Sequence, residues 1–166
     1  MSLVFTKGTQ FTAGSEVGDD IDLSSESIAD GAGRWSASGD LDSLIAASRT
    51  PYIHVWAHCQ WQATPTLGEV LRWVLATSLD NTLWTHDDGT GDGAISAEDK
   101  LFNQKILGNV RCDQAAANIP TARDLGIHEI VARRIQVGMW NDGGAAIAAD
   151  VAETKLLFDP VLFADS

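Results

Sequence analysis

Apolar and polar positions alternate with a period of two through most of the legible segments of this chain, and that period is the signature of a strand with one face buried. The clearest run is Pro51–Trp61, where Ile53, Val55, Ala57, Cys59 and Trp61 fall on one face and Tyr52, His54, Trp56, His58 and Gln60 on the other. Glu69–Ser78 sets Leu71, Trp73 and Leu75 against Val70, Val74 and Ala76, apolar on both faces, as in a strand covered from both sides. Leu79–Trp84 reads as a continuation into an edge strand, and Lys105–Cys112 as a strand. From Ile135 the alternation resumes with Ile135, Val137 and Met139 on one face. Asn141-Asp142-Gly143-Gly144 then supplies turn chemistry before a closing run, Lys155–Pro160. Ala97–Gln104 is expected to form a short helix and Asp124–Ala132 a helical turn. The pattern predicts an all-β chain of seven or eight strands, a β-sandwich for which the jelly roll is a candidate arrangement. The predicted core holds Ile53, Val55, Cys59, Trp61, Leu71, Trp73, Leu75, Ile106, Val110, Ile135, Val137 and Leu157.

Residues 1–33 break the pattern. They are rich in Gly, Ser, Thr and Asp, with Val4, Phe5, Phe11, Ile21 and Leu23 among few large apolar anchors. They read as an extended N-terminal arm or surface segment preceding a sandwich domain over 34–166, with those five residues as candidate contacts to a neighbouring subunit. A mobile terminus is the competing reading.

The 166 residues suffice for one domain with a real core. With 45% hydrophobic and 20% charged residues the chain is globular, and a net charge of −12 disfavours binding to phosphate backbones or anionic membranes. The start lacks a basic, apolar leader, so synthesis in the cytoplasm without a signal peptide is expected, and no apolar run reaches transmembrane length. Without a secretory signal, Cys59 and Cys112 read as buried thiols, with a disulfide as the alternative.

The sharpest local motif is Asp88-Gly-Thr-Gly-Asp-Gly-Ala-Ile-Ser-Ala-Glu-Asp99. Numbered as a calcium loop, it places Asp88, Thr90 and Asp92 at alternate ligand positions, Ala94 as a carbonyl donor and Asp99 at the closing position. Thr90 stands where a carboxylate or amide is usual, Asp99 where a bidentate Glu is usual, and no incoming helix precedes the loop. A solvated loop is the competing reading, and the expectation is no cofactor, with calcium as the exception to test. His54 and His58 are about 13 Å apart along one strand face, too far to share a metal. No nucleophile elbow, phosphate loop or dinucleotide fingerprint is present, and the chain reads as a non-enzyme. Six tryptophans leave open a carbohydrate-binding module, calcium-assisted or not.

Three stretches carry a family resemblance: Tyr52-Ile53-His54-Val55-Trp56 with the apolar run Leu71–Leu75; Gly93–Leu101 leading into Lys105–Cys112; and Ala132–Val137 with the Asn-Asp-Gly-Gly turn and the Lys155–Pro160 strand. In this order, over residues 34–163, the chain resembles small β-sandwich virion proteins of tailed bacteriophages. The resemblance implies a repeated, non-catalytic part of the particle, with capsid decoration or cement first and a neck, tail or fibre-base protein as the rival. It further implies a homo-oligomer that contacts the major capsid or other virion proteins. Read from the residues themselves, the amphipathic face of Tyr52, His54 and Trp56 is a second candidate subunit contact, and Arg133 and Arg134 are candidates to bridge to acidic patches on the next subunit.

Overall fold

The computed structural model describes residues 3–45, 50–88, 91–150 and 152–165, with the backbone alone described at 3–7 and 163–165. In chain order the elements are β1 (Leu3–Lys7), β2 (Phe11–Gly14), β3 (Ile21–Asp22), β4 (Ala32–Trp35), β5 (Gly39–Asp40), a single helical turn α1 (Leu41–Leu44), β6 (Tyr52–Cys59), β7 (Val70–Ser78), β8 (Gly93–Ala94), a 3-10 turn (Glu98–Leu101), β9 (Lys105–Arg111), β10 (Thr121–Glu129), β11 (Arg134–Asp142) and β12 (Lys155–Asp165). One sheet runs β10-β6-β12-β2-β3, with β1 also paired to β12; the other runs β8-β4-β11-β7-β9, with β5 also on β11. Among the described strands only the short β2–β3 pairing is parallel. The longer strands lie in the orders β2-β12-β6-β10 and β4-β11-β7-β9. The first and last are neighbours, and the chain crosses between the sheets as two interleaved Greek keys do. This is the jelly-roll form of the all-β sandwich.

Alternation explains which side of each strand faces in. Ile53, Val55, Ala57 and Cys59 of β6 are fully buried, while Tyr52, His54, Trp56 and His58 are half-buried on the outside. Phe158 of β12 stacks on Phe11 of β2 with ring centres 4.7 Å apart. Leu71, Trp73 and Leu75 of β7 and Ile135, Val137 and Met139 of β11 close the core from the other sheet. Both faces of β11 are buried, down to Gln136 and Trp140, because residues 79–88 and 91–104 cover the outside of this sheet.

Two predicted core positions are shifted by one residue. On β9 the register with β7 slips between Trp73 and Val74, so Trp73 faces Gly108 and Val74 faces Ile106. The bulge turns Leu107 inward and leaves Ile106 63% exposed. Gly108 sits at φ +152, with the Leu125 side chain 3.0 Å from where a Cβ would stand. On β12 it is Leu156 and Phe158 that are buried, and Leu157, between Trp56 and Thr12, shares their outward side.

Three segments also differ from their expected form. Thr121–Glu129 is a strand with a bulge between Asp124 and Gly126, not a helical turn. Leu79–Trp84 is a loop closed by a lone Ser78–Trp84 bridge. The Asp80 carboxylate organises its turn by accepting the N–H groups of Thr82 and Leu83, both at 2.9 Å. The described part of the expected arm is built into the sandwich: β2 and β3 belong to the first sheet, and β4 runs across the expected boundary at residue 33. Phe11, Ile21 and Leu23 are buried in this chain's own core, so these three expected neighbour contacts fill the sandwich instead.

Candidate functional site

The two sheets present unlike outer faces. Residues 79–88 and 91–104 form a strap over the β4-β11-β7 face, sealed by a small second core of Trp35, Val74, Ala76, Ile95, Leu101 and Trp140. His86 stacks on Trp35 with ring centres 4.1 Å apart. Its Nδ1 accepts the Asp88 backbone N–H at 3.2 Å, which leaves the proton on Nε2 to bond Gln136 Oε1 at 3.0 Å. Burial holds the imidazole below its usual pKa, and the neighbouring Gln136, Asp88 and Asp87 only partly oppose this. Arg72 of β7 ties the strap down by bonding Glu98 at 2.9 Å while holding Asp142 of β11 at 3.0 Å.

Within this strap the proposed calcium ligands do not converge. Asp88 accepts the Trp35 indole N–H at 2.9 Å and the Ser96 hydroxyl at 2.5 Å. Burial opposes its ionisation, and these bonds outweigh burial, so its carboxyl stays below the usual range. Asp92 accepts Arg34 at 2.7 Å and both the backbone N–H and the hydroxyl of Ser24. Ala94 lies in β8 against Arg34. Asp99 faces a separate polar recess with Trp84, His86 and Lys100. Thr90 lies outside the described residues. Among the described residues no group of three or more His, Cys, Asp or Glu side chains could hold a metal ion. The Asp-Gly spacing here serves to buckle the strap to Trp35, Ser24 and Arg34, which the sequence could not reveal because those partners lie more than fifty positions away.

Both cysteines are buried thiols, not a disulfide. Burial pushes both up in pKa, Cys112 to about 11. Neither is poised as a nucleophile at neutral pH.

The opposite outer face, on the β10-β6-β12 sheet, carries no strap among the described residues. His54 and Trp56 lie ring to ring at 5.4 Å, and His54 bonds the exposed Asp124 at 2.8 Å. That bond, with the Gly126 N–H, holds the Asp124 carboxyl below its usual range. Trp56 pairs in register with Leu157, and His54 with Ile127, giving a shallow surface of aromatic and aliphatic side chains. Tyr52, His54 and Trp56 thus share one outward face.

The other predicted contacts separate. Arg134 is half-buried and paired with Asp40 at 3.0 Å, whereas Arg133 is 62% exposed and reaches Asp42 only at 3.6 Å. Val4 and Phe5 lie on β1, where only the backbone is described. A surface that the sequence did not single out lies beside Arg133: an open groove of about 640 Å³ lined by Leu41, Ile45, Leu79, Ile130 and Val131. Leu79 and Val131 are 75% and 78% exposed. No sequence period signals it, because its walls come from loops that meet only in the fold. Comparison with protein-family models, curated proteins and solved structures finds no match to this chain.

Proposed function

We propose that this chain is a non-enzymatic structural subunit of a tailed-bacteriophage particle, most simply a decoration or cement protein on the capsid. The observation that carries the reading is the asymmetry of the jelly roll. One outer face is sealed by the chain's own strap, while on the other His54, Trp56 and Leu157 stay partly open to solvent and no described segment crosses them. A subunit that sits on a shell needs one finished face and one contact face, and aromatic residues with a polar tip are favoured in such contacts. Jelly rolls recur in capsid proteins and in lectins, so the fold admits this role without choosing it. The family resemblance of the segment order points to the particle.

The test is to locate the chain in purified particles by mass spectrometry and labelled-antibody microscopy, and to measure rebinding of purified protein to particles that lack it. Many copies on the shell, with rebinding weakened by Trp56→Ala, are expected. Absence from the particle defeats the reading. Trp56 beside His54 also suits stacking on a sugar ring, which supports a carbohydrate-binding module as the second reading. Binding on a glycan array, lost in Trp56→Ala, would favour it.

A further inference from the structure

We infer that the strap is an acid-released latch: protonation of His86 swings its imidazole off the Trp35 ring into the polar recess beside it and uncovers the aromatic face of the β4-β11-β7 sheet.

The closed position accepts only a neutral ring. Gln136 is fully buried, and its Nε2 donates to the Ser36 carbonyl at 2.7 Å. That bond turns its Oε1 toward His86 Nε2, at 3.0 Å, where it needs a donor. Nδ1 on the other side accepts the Asp88 backbone N–H at 3.2 Å. A second proton, on Nδ1, sets donor against donor and leaves the Asp88 N–H without its acceptor. The ring also lies flat on Trp35, 7° from parallel, and Trp35 is 1% exposed beneath it.

A charged ring has a place to go. His86 lines one side of a recess of about 380 Å³, and Trp84, Asp87, Asp99, Lys100 and Asn103 line the rest. Asp88, bonded to the Trp35 indole at 2.9 Å, is a further carboxylate next to the imidazole. Three carboxylates against Lys100 attract an imidazolium. The sheet beneath does not oppose this. Its arginines are already held, Arg34 by Asp92, Arg72 by Glu98 and Asp142, and Arg134 by Asp40. Val74 and Ala76 of β7, and Trp35 and Gln136, are uncharged, as are Gly89 and Thr90, which lie outside the described residues. Burial keeps the closed imidazole below its usual pKa, so the open form binds the proton more readily and acid favours it.

The two halves of the strap are fastened differently. Residues 84–88 hold β7 through long bonds, the Thr85 N–H to the Thr77 carbonyl at 3.3 Å and the Thr77 N–H to the Thr85 hydroxyl at 3.2 Å. The Trp84 indole N–H is buried and meets no acceptor among the described residues, a cost that opening returns to water. Residues 91–104 are pinned instead by the arginine–carboxylate pairs of Asp92 and Glu98, by Ile95 and Leu101 in the small core, and by the Ile95 N–H on the Gly33 carbonyl at 3.0 Å. Protonation of His86 therefore frees the first half and leaves the second in place.

The test is residue-resolved amide hydrogen exchange of the full chain by NMR, from about pH 8 to about pH 5, expressed as protection so that the intrinsic pH dependence cancels. Protection at Thr85 and Asp88 should fall with acid by up to about tenfold per pH unit, the limit for uptake of one proton. Ile95 and β6 should keep theirs. His86→Gln can still bond Gln136 but takes no proton, so Thr85 should lose its pH dependence. Asp87→Asn combined with Asp99→Asn leaves the recess less attractive to the imidazolium and should move the fall to lower pH. Protection in the wild type that is constant over this range overturns the inference. So does a fall shared by Ile95 and β6, which is unfolding of the whole sandwich. A fall that His86→Gln retains, or one that the double variant does not move, overturns it too.

Discussion

Individual side chains decide the chemistry of the strap. Asp88 and Asp92 carry the spacing of cation ligands but are occupied by Trp35, Ser96, Arg34 and Ser24. Excess calcium should therefore leave the melting midpoint unchanged, and a clear upward shift that Asp92→Ala removes would show that the loop rearranges around the ion. His86 supplies a pH dependence of known sign. Its folded pKa is depressed by burial, so the unfolded chain binds the proton more readily. Its contribution is complete above the unfolded value of about 6.5 and is lost as pH falls through the lower, folded value. Melting curves should show the wild type losing stability more steeply over that interval than His86→Gln, and equal slopes would remove His86 as the cause.

At the scale of single strands, register outranks alternation. Lys105–Arg111 alternates well enough to predict Ile106 in the core, yet the bulge at Gly108 delivers Leu107 instead. Leu107→Ala should cost about 2–5 kcal/mol, while Ile106→Ser should stay within about 0.5 kcal/mol, as exposed positions do. Denaturant midpoints of the two variants measure the difference, and a reversed order would place the bulge wrongly. Gly138 of β11 lies under the Trp35 ring, whose nearest atom stands 2.4 Å from the position of an added Cβ. Gly138→Ala should destabilise by about 1–3 kcal/mol through overpacking and loosen the His86–Trp35 stack. Tryptophan fluorescence and chemical denaturation both report on it.

For the molecule as a whole, the segment over residues 8–33 is structural. Deleting residues 2–30 removes Phe11, Ala13, Ile21, Leu23 and Ile28 from the core and the partner strand from one edge of β12. That variant should fail to fold, whereas deletion of 2–7 removes only β1 and should keep the sandwich. Circular dichroism with limited proteolysis separates the two. A folded 2–30 deletion would restore the picture of an independent arm. The same integration pairs β2 with β12, near the two ends of the chain, in one sheet.

The strand period alone determined the all-β class, the inward faces of β6, β7 and β11, and the outward Tyr52-His54-Trp56 face, because within one strand a side chain's direction depends only on counting by two. Composition likewise set the acidic, globular character. Tertiary structure decided everything that depends on which strand lies beside which. Ser24 and Arg34 reach Asp92 across the chain and turn a cation-like loop into a buckle. Phe11, Ile21 and Leu23 looked like spare anchors because their Gly- and Ser-rich surroundings hide the partners that bury them. Leu157 and Ile106 moved to the outside because pairing with neighbouring strands, not local alternation, fixes phase. The groove beside Arg133 is assembled from α1, the loop after β7 and the turn before β11. Long-range pairing brings such loops together, and no periodicity along the chain records it.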